Sequence, residues 1–237
     1  MLRWARHITL GALVLGALGA SGGLVYEQWS RWTAIRSHPP PGRMVEVGEA
    51  RTHLNCVGEG GPTVVLESGW SGGGSLDWLL VQPEVAKFTR VCSYDRAGVL
   101  WSERRSGPRD AIRIAEELDQ LLKAGGEAPP YVMTGHSLGG PLVRVFDAQY
   151  PGVVAGFVFV DASHPDQDGR MPAEVTGPEP DLFWTKLRAA TGLYRLRATA
   201  PSYGLPNESA VVVRDLMPRG VAGLLDEHAA FGEIFAR

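Results

Sequence analysis

Apolar positions along the chain fall into three kinds of run. The first is an almost uncharged stretch, Ile8 to Tyr26, rich in Leu, Ala, Gly and Val and preceded by Arg3, Arg6 and His7. Its 19 residues make about 28 Å of helix, close to the hydrocarbon thickness of a bilayer. The second kind is short and β-leaning. Met44–Val47 and Arg51–Val57, with Gly48-Glu49 between them, read as an opening hairpin. Thr63–Leu66, Thr89–Tyr94, Tyr131–Thr134 and the continuous apolar run Val153–Val160 read as further strands. The third kind has helical spacing. Asp110 caps a helix with Ile112, Ala115, Leu118, Leu121 and Leu122 on one face, and Gly125-Gly126 stop it. Asp77–Phe88 reads as a helix interrupted by Pro83, and Pro141–Tyr150 as one with Leu142, Val145 and Phe146 on its apolar side. Asp181–Thr191 and Ser209–Phe235 read as helical segments of a lid. Strands alternating with helices predict an α/β fold, a mostly parallel sheet covered by helices on both faces.

The chain has 237 residues, 44% of them hydrophobic, enough to bury a full core as one domain with a small insertion. Its net charge is −3 with no basic run, which argues against a nucleic-acid partner. The division expected is a cytoplasmic N-terminus (1–7), a membrane anchor or signal peptide (8–26), a linker (27–42), the α/β core (43–165) and a helical lid (166–237). Two readings of 8–26 stand. Ala17-Leu18-Gly19 and Ala20-Ser21-Gly22 offer small residues for signal cleavage, which would give a secreted protein. Trp29 and Trp32 follow at the depth of an interfacial belt, as for a retained single-pass anchor, and the arginines keep the short end in the cytoplasm. The anchor fits better, and the body then lies on the extracytoplasmic side. Ser37–Gly42, with three prolines, makes the end of the linker stiff.

Gly135-His136-Ser137-Leu138-Gly139 matches G-x-S-x-G between a strand and a helix. Flanking glycines remove Cβ atoms at the tightest fold of the chain, and Ser137 then stands at a helix N-terminus, whose partial positive charge favours a developing anion. With Glu67-Ser68-Gly69-Trp70, Tyr94-Asp95-Arg96-Ala97-Gly98 and Val160-Asp161-Ala162-Ser163-His164-Pro165, in this order, the chain resembles the α/β-hydrolase superfamily. It is most similar to membrane-anchored bacterial members of the esterase/lipase-like branch, over about residues 43–165.

The resemblance implies Ser137 as nucleophile, with an oxyanion held by the backbone N–H groups of Leu138 and Trp70. Gly69 and Gly72–Gly74 let backbone approach substrate, while Gly135 and Gly139 shape the elbow. The Trp70 indole is alternatively a wall of the acyl pocket. His136 points away from the serine, and Asp95 and Arg96 hold a turn. Leu100 replaces a glycine of the family's pattern, so that loop is expected to differ. The second and fourth strands are neighbours in this fold, which places Cys56 beside Cys92. A disulfide is then geometrically allowed, against two buried reduced thiols.

The base is harder to find. The 76 residues after Asp161 read as lid without a further strand–helix–strand unit, so the family's two closing strands and the histidine after them look absent. His7 and His38 lie outside the core, and His53 sits on an opening strand far from the elbow. His164 and His228 remain as base candidates, each with a bland alternative as a turn or solvent-facing histidine, and Asp161 is a candidate acid. Asp161, Asp166 and Asp168 precede Gly169, yet the best calcium-loop frame has His164 first and Val175 twelfth, so it fails. No zinc spacing exists, and neither metal nor cofactor is expected.

Two classes of function follow. One is a cofactor-free serine hydrolase acting on an ester or related acyl substrate, with Trp70, Trp78, Trp101 and Trp184 suggesting an apolar pocket. The other is a catalytically incomplete, truncated hydrolase-like protein or binding module, whose open sheet edge would favour self-association. Nothing in the residues sets the oligomeric state.

Overall fold

The computed structural model describes residues 2–164, 166–170, 181–197 and 207–230. Six strands form one sheet in the order β1-β2-β4-β3-β5-β6. They are β1 (Arg43–Val47), β2 (Ala50–Val57), β3 (Thr63–Glu67), β4 (Val91–Tyr94), β5 (Tyr131–His136) and β6 (Val154–Val160). The β1–β2 hairpin and the β2–β4 pair are antiparallel, and β4–β3, β3–β5 and β5–β6 are parallel. Cys56 and Cys92 face each other in the β2–β4 register and are disulfide-bonded.

The helix α3 (Ala111–Ala124) starts where the Asp110 carboxylate accepts the Arg113 N–H at 2.9 Å, and it packs beside α4 (Gly139–Gln149). Ile114, Leu118, Leu121, Leu142 and Phe146 close against Leu54, Val65 and Met133 of the sheet. Fully burying each such side chain is worth about 1.5–3 kcal/mol, so this layer carries most of the core.

The other face is covered unevenly. In place of one helix over Asp77–Phe88 there is a 3₁₀ turn (Gly74–Trp78) followed by the short α2 (Gln82–Val85). Pro83 has no N–H to continue a helix but is tolerated in a first turn, where it stands. Trp78 closes on Leu66 and Val91 there. Beyond it a cleft of about 540 Å³ opens over β3, β5 and β6, walled by Val64, Leu66, Val132, Val158 and Val160. β6 is the last strand of the sheet, as its place in the chain predicted. It forms the sheet edge, Phe157, Val158, Phe159 and Val160 are exposed, and no strand among the described residues pairs with its outer side.

At the N-terminus α1 runs unbroken from Leu2 to Ser37. Within the expected linker over 27–42, residues 27–37 are helical and 38–42 are not. No Gly or Pro falls between Tyr26 and Ser37, and two i,i+4 contacts support the turns there. Arg31 pairs with Glu27 at 2.7 Å, and the Arg36 guanidinium lies 3.8 Å from the centre of the Trp32 ring. Pro39, Pro40 and Pro41 then end the helix.

The lid region holds α5 (Gln167–Arg170), α6 (Leu182–Ala190), α7 (Leu193–Arg197) and α8 (Asn207–Ala229). Val175 of the calcium frame and the end of the expected helix at Phe235 lie outside the described residues. The α8 helix packs on α1, α6 and α7. It also crosses the loops after β3 and β4, where Gly220 and Gly223 let it approach the backbone of Gly98.

Candidate active site

The elbow is built by close backbone approach. Ser137 follows β5 with φ of 50°, a left-handed conformation that costs a non-glycine residue energy and persists only where neighbours enforce it. They do so here. A Cβ on Gly135 would meet the Gly139 carbonyl carbon at 2.6 Å, and one on Gly139 would meet the Glu67 carbonyl oxygen at 2.5 Å. The Ser137 carbonyl accepts N–H bonds from Gly140 at 3.0 Å and Ser163 at 2.9 Å, while its own N–H reaches the Val160 carbonyl at 3.3 Å. Gly69 faces the serine directly: a Cβ there would lie 3.0 Å from Ser137 Cβ and 3.1 Å from His136 Nδ1. Leu138 is buried at the N-cap of α4. The ends of β3, β5 and β6 thus converge on one half-buried hydroxyl at a helix N-terminus.

Arg96 does more than hold a turn. Its enclosed guanidinium pairs with Glu67 at 2.6 Å and with Glu227 of α8 at 2.9 Å, and it donates to the carbonyls of Ser68 (2.7 Å) and Gly69 (3.0 Å). Burial works against its charge, but the Glu227 and Glu67 carboxylates outweigh that and hold its pKa well above the ordinary value. Burial pushes the Glu67 carboxyl up, and Arg96 and the Tyr94 hydroxyl, which donates to it, offset only part of the rise. The Trp70 indole N–H donates to the Leu224 carbonyl of α8 at 2.8 Å. The lid is therefore fastened to the loop that faces Ser137. Arg96 was legible as part of a motif, but its partner Glu227, 131 residues away in sequence, carried no signal.

Among the described residues, neither Asp161 nor His164 hydrogen-bonds the Ser137 hydroxyl. Asp161 is exposed just after β6, with φ of 43°. His164 is exposed and turned to its own loop, where Nδ1 accepts the Asp166 N–H at 3.1 Å. His228 belongs to α8, but its side chain, like that of Asp168, lies outside the described residues. His136 stands edge-on to Trp78, with ring centres 6.3 Å apart. Among the described residues, no histidine hydrogen-bonds the Ser137 hydroxyl.

A different His–Asp–Ser group was not anticipated. His53, fully enclosed, meets Asp95 at 2.8 Å and Ser75 Oγ at 3.4 Å through Nδ1, and its Nε2 meets the Pro41 carbonyl. It is sealed from solvent and ties the residues after α1 to the sheet. His38, in the same stretch, pairs with Asp215 of α8 at 3.0 Å. Leu100, where the family pattern has glycine, keeps a glycine-like φ of 38°. The four tryptophans do not share one pocket. Trp78 is buried against the sheet, Trp101 is buried and donates to the His38 carbonyl at 2.7 Å, Trp70 bonds α8, and Trp184 is exposed on α6. Cys56, Cys92 and Glu127 cluster within 4.8 Å, but the disulfide consumes both thiols and Glu127 pairs with Arg90 at 2.7 Å.

Comparison with known proteins bears on the fold. A family model described as the alpha/beta hydrolase fold matches residues 62–202. An uncharacterized protein of Schizosaccharomyces pombe is 31% identical over 151 residues, which is 52% of this chain and 28% of that protein. The 2-hydroxy-6-oxo-2,4-heptadienoate hydrolase of Pseudomonas putida is 30% identical over 127 residues, 51% of this chain and 44% of the enzyme. This chain thus spans less than half the length of either relative. Among solved structures, the epoxide hydrolase CorEH superposes with a TM-score of 0.62 at 20% identity, covering 80% of this chain and 74% of the other, a likeness of fold alone. By the family match and the order of its strands, the chain belongs to the α/β-hydrolase fold family.

Proposed function

We propose that this protein is a cofactor-free serine hydrolase of ester or related acyl substrates, held in a membrane by α1. The observation that carries the reading is the left-handed Ser137 at the tip of β5, fenced by Gly69, Gly135 and Gly139. In this reading the Ser137 hydroxyl attacks the acyl carbon while a base takes its proton. The ester C–O bond breaks, the alcohol leaves with that proton, and water then hydrolyses the acyl-serine to free acid and serine. The N–H groups of Leu138 and Trp70 stabilise the oxyanion. Asp161 and His164 or His228 are the acid and base candidates on the chain. The membrane role rests on α1, in which an 18-residue window with mean hydropathy 1.9 is wholly unburied. The body is then extracytoplasmic, where the Cys56–Cys92 disulfide is at home.

A second reading, an incomplete hydrolase-like protein or binding module, is favoured by the absence of a histidine bonded to Ser137 among the described residues. Fluorophosphonate labelling of the full chain in detergent, beside Ser137→Ala, separates the two. The probe reacts with serines that a base has activated. Labelling lost in Ser137→Ala supports the hydrolase, and no labelling of folded protein supports the second reading.

A further inference from the structure

The apolar run of α1 and the lid meet at a defined depth. A Cβ on Gly23 would collide with the Thr191 carbonyl, and Gly192 lies against the Tyr26 ring. Arg195 pairs with Glu27 at 2.9 Å, and the enclosed Glu27 fixes the contact. Gly23 stands three residues inside the end of the Ile8–Tyr26 run, about 5 Å of helix rise. The turn between α6 and α7 is therefore level with the last turn of the apolar run. Wherever α1 crosses a bilayer, this turn is brought to the boundary between headgroups and hydrocarbon.

The surface that α6 and α7 show there has the matching chemistry. Their inner side is spent on α8: Ala189 packs with Val221 and Leu225, and Leu182 and Tyr194 lean on the same cluster. Their outer side exposes Phe183 and Leu196, each 68% accessible, with Trp184, Leu187 and Leu193 between them. Residues 182–197 contain no acidic residue and four basic ones, of which Lys186 is paired with Asp226 and Arg195 with Glu27, leaving Arg188 as the cation on α6 without a carboxylate partner among the described residues. Aromatic and aliphatic side chains beside such a cation suit the interface of an anionic bilayer. On α1, Trp29 is exposed and lines one cleft with Leu196, and Trp32 is exposed one turn further on.

We infer that the outer face of α6 and α7 is a second membrane contact, seated in the headgroup layer of the bilayer that α1 crosses. The lid and, through α8, the loop facing Ser137 are then held at a set distance from the lipid. This inference rests on α1 being a membrane span, and the experiment tells the two apart.

The full chain would be spin-labelled at single introduced cysteines, without reductant so that Cys56 and Cys92 take no label. It would then be placed in vesicles of phosphatidylcholine and phosphatidylglycerol. Phe183→Cys and Leu196→Cys report the lid, Val14→Cys the span and Lys87→Cys the distant body. Collision with oxygen is compared with collision with a water-soluble nickel complex. The expected result is oxygen exceeding nickel at Val14→Cys and, to a smaller degree, at both lid positions, with nickel exceeding oxygen at Lys87→Cys. A hydrocarbon signal at Val14→Cys with lid labels as nickel-accessible as Lys87→Cys overturns the lid contact and leaves the span standing. Lid labels shielded from both reagents mean a protein contact and overturn it too. A nickel-accessible Val14→Cys overturns both.

Discussion

The Arg96 guanidinium, at the end of β4, meets the Glu227 carboxylate of α8 at 2.9 Å with neither side chain open to solvent. One charge thus serves two purposes: it locks the lid to the core, and it holds the Ser68 and Gly69 carbonyls of the loop facing Ser137. Removing a single partner from such a pair strands the other charge where water cannot reach it.

Arg96→Met is therefore expected to lower the unfolding free energy by about 3–5 kcal/mol, because Glu67 and Glu227 both lose their cation. Glu227→Gln should cost less, since Glu67 still neutralises Arg96. Denaturant titration of the full chain in detergent measures both. Equal losses would show that the Glu67 contact contributes little.

Gly69→Ala places a methyl group 3.0 Å from Ser137 Cβ and 3.1 Å from His136 Nδ1. The histidine ring can swing aside, so the stability cost should stay near 1 kcal/mol, at the low end for overpacking. The loop and serine are displaced relative to one another, and misplacement of this kind costs reactivity about tenfold or more. Fluorophosphonate labelling rates, compared with thermal melts of the same samples, check the split.

The His53–Asp95 pair predicts a pH dependence. Burial disfavours the charged ring, but the Asp95 carboxylate and the Pro41 carbonyl outweigh it and raise the His53 pKa above 6.5. A raised folded pKa gives stability that is complete below 6.5 and lost as pH climbs through the folded value. The melting temperature should therefore fall more steeply above pH 6.5 in the native chain than in His53→Gln. Parallel profiles would remove His53 as the cause.

Much of the architecture was legible because it is locally encoded. The Asp110 cap, the Gly125-Gly126 stop, the β1–β2 hairpin and the strand–serine–helix order each depend on residues a few positions apart. The glycines of the elbow were readable for the same reason, since steric demand at a tight turn falls on particular positions. The run Val154–Val160 was legible as the final strand, and the open sheet edge it forms was expected because no further strand pattern follows it.

What sequence alone determined, then, was the α/β class, the elbow at Ser137 and an apolar N-terminal helix, all products of short-range pattern and backbone sterics. Tertiary structure decided the rest. It carried α1 through 27–37 onto the lid, matched Arg96 with Glu227 and Glu27 with Arg195, sealed His53 away from Ser137 and scattered the four tryptophans. Those outcomes come from pairing between distant segments, and a charged or aromatic residue does not carry in its own neighbourhood the address of the partner that will satisfy it.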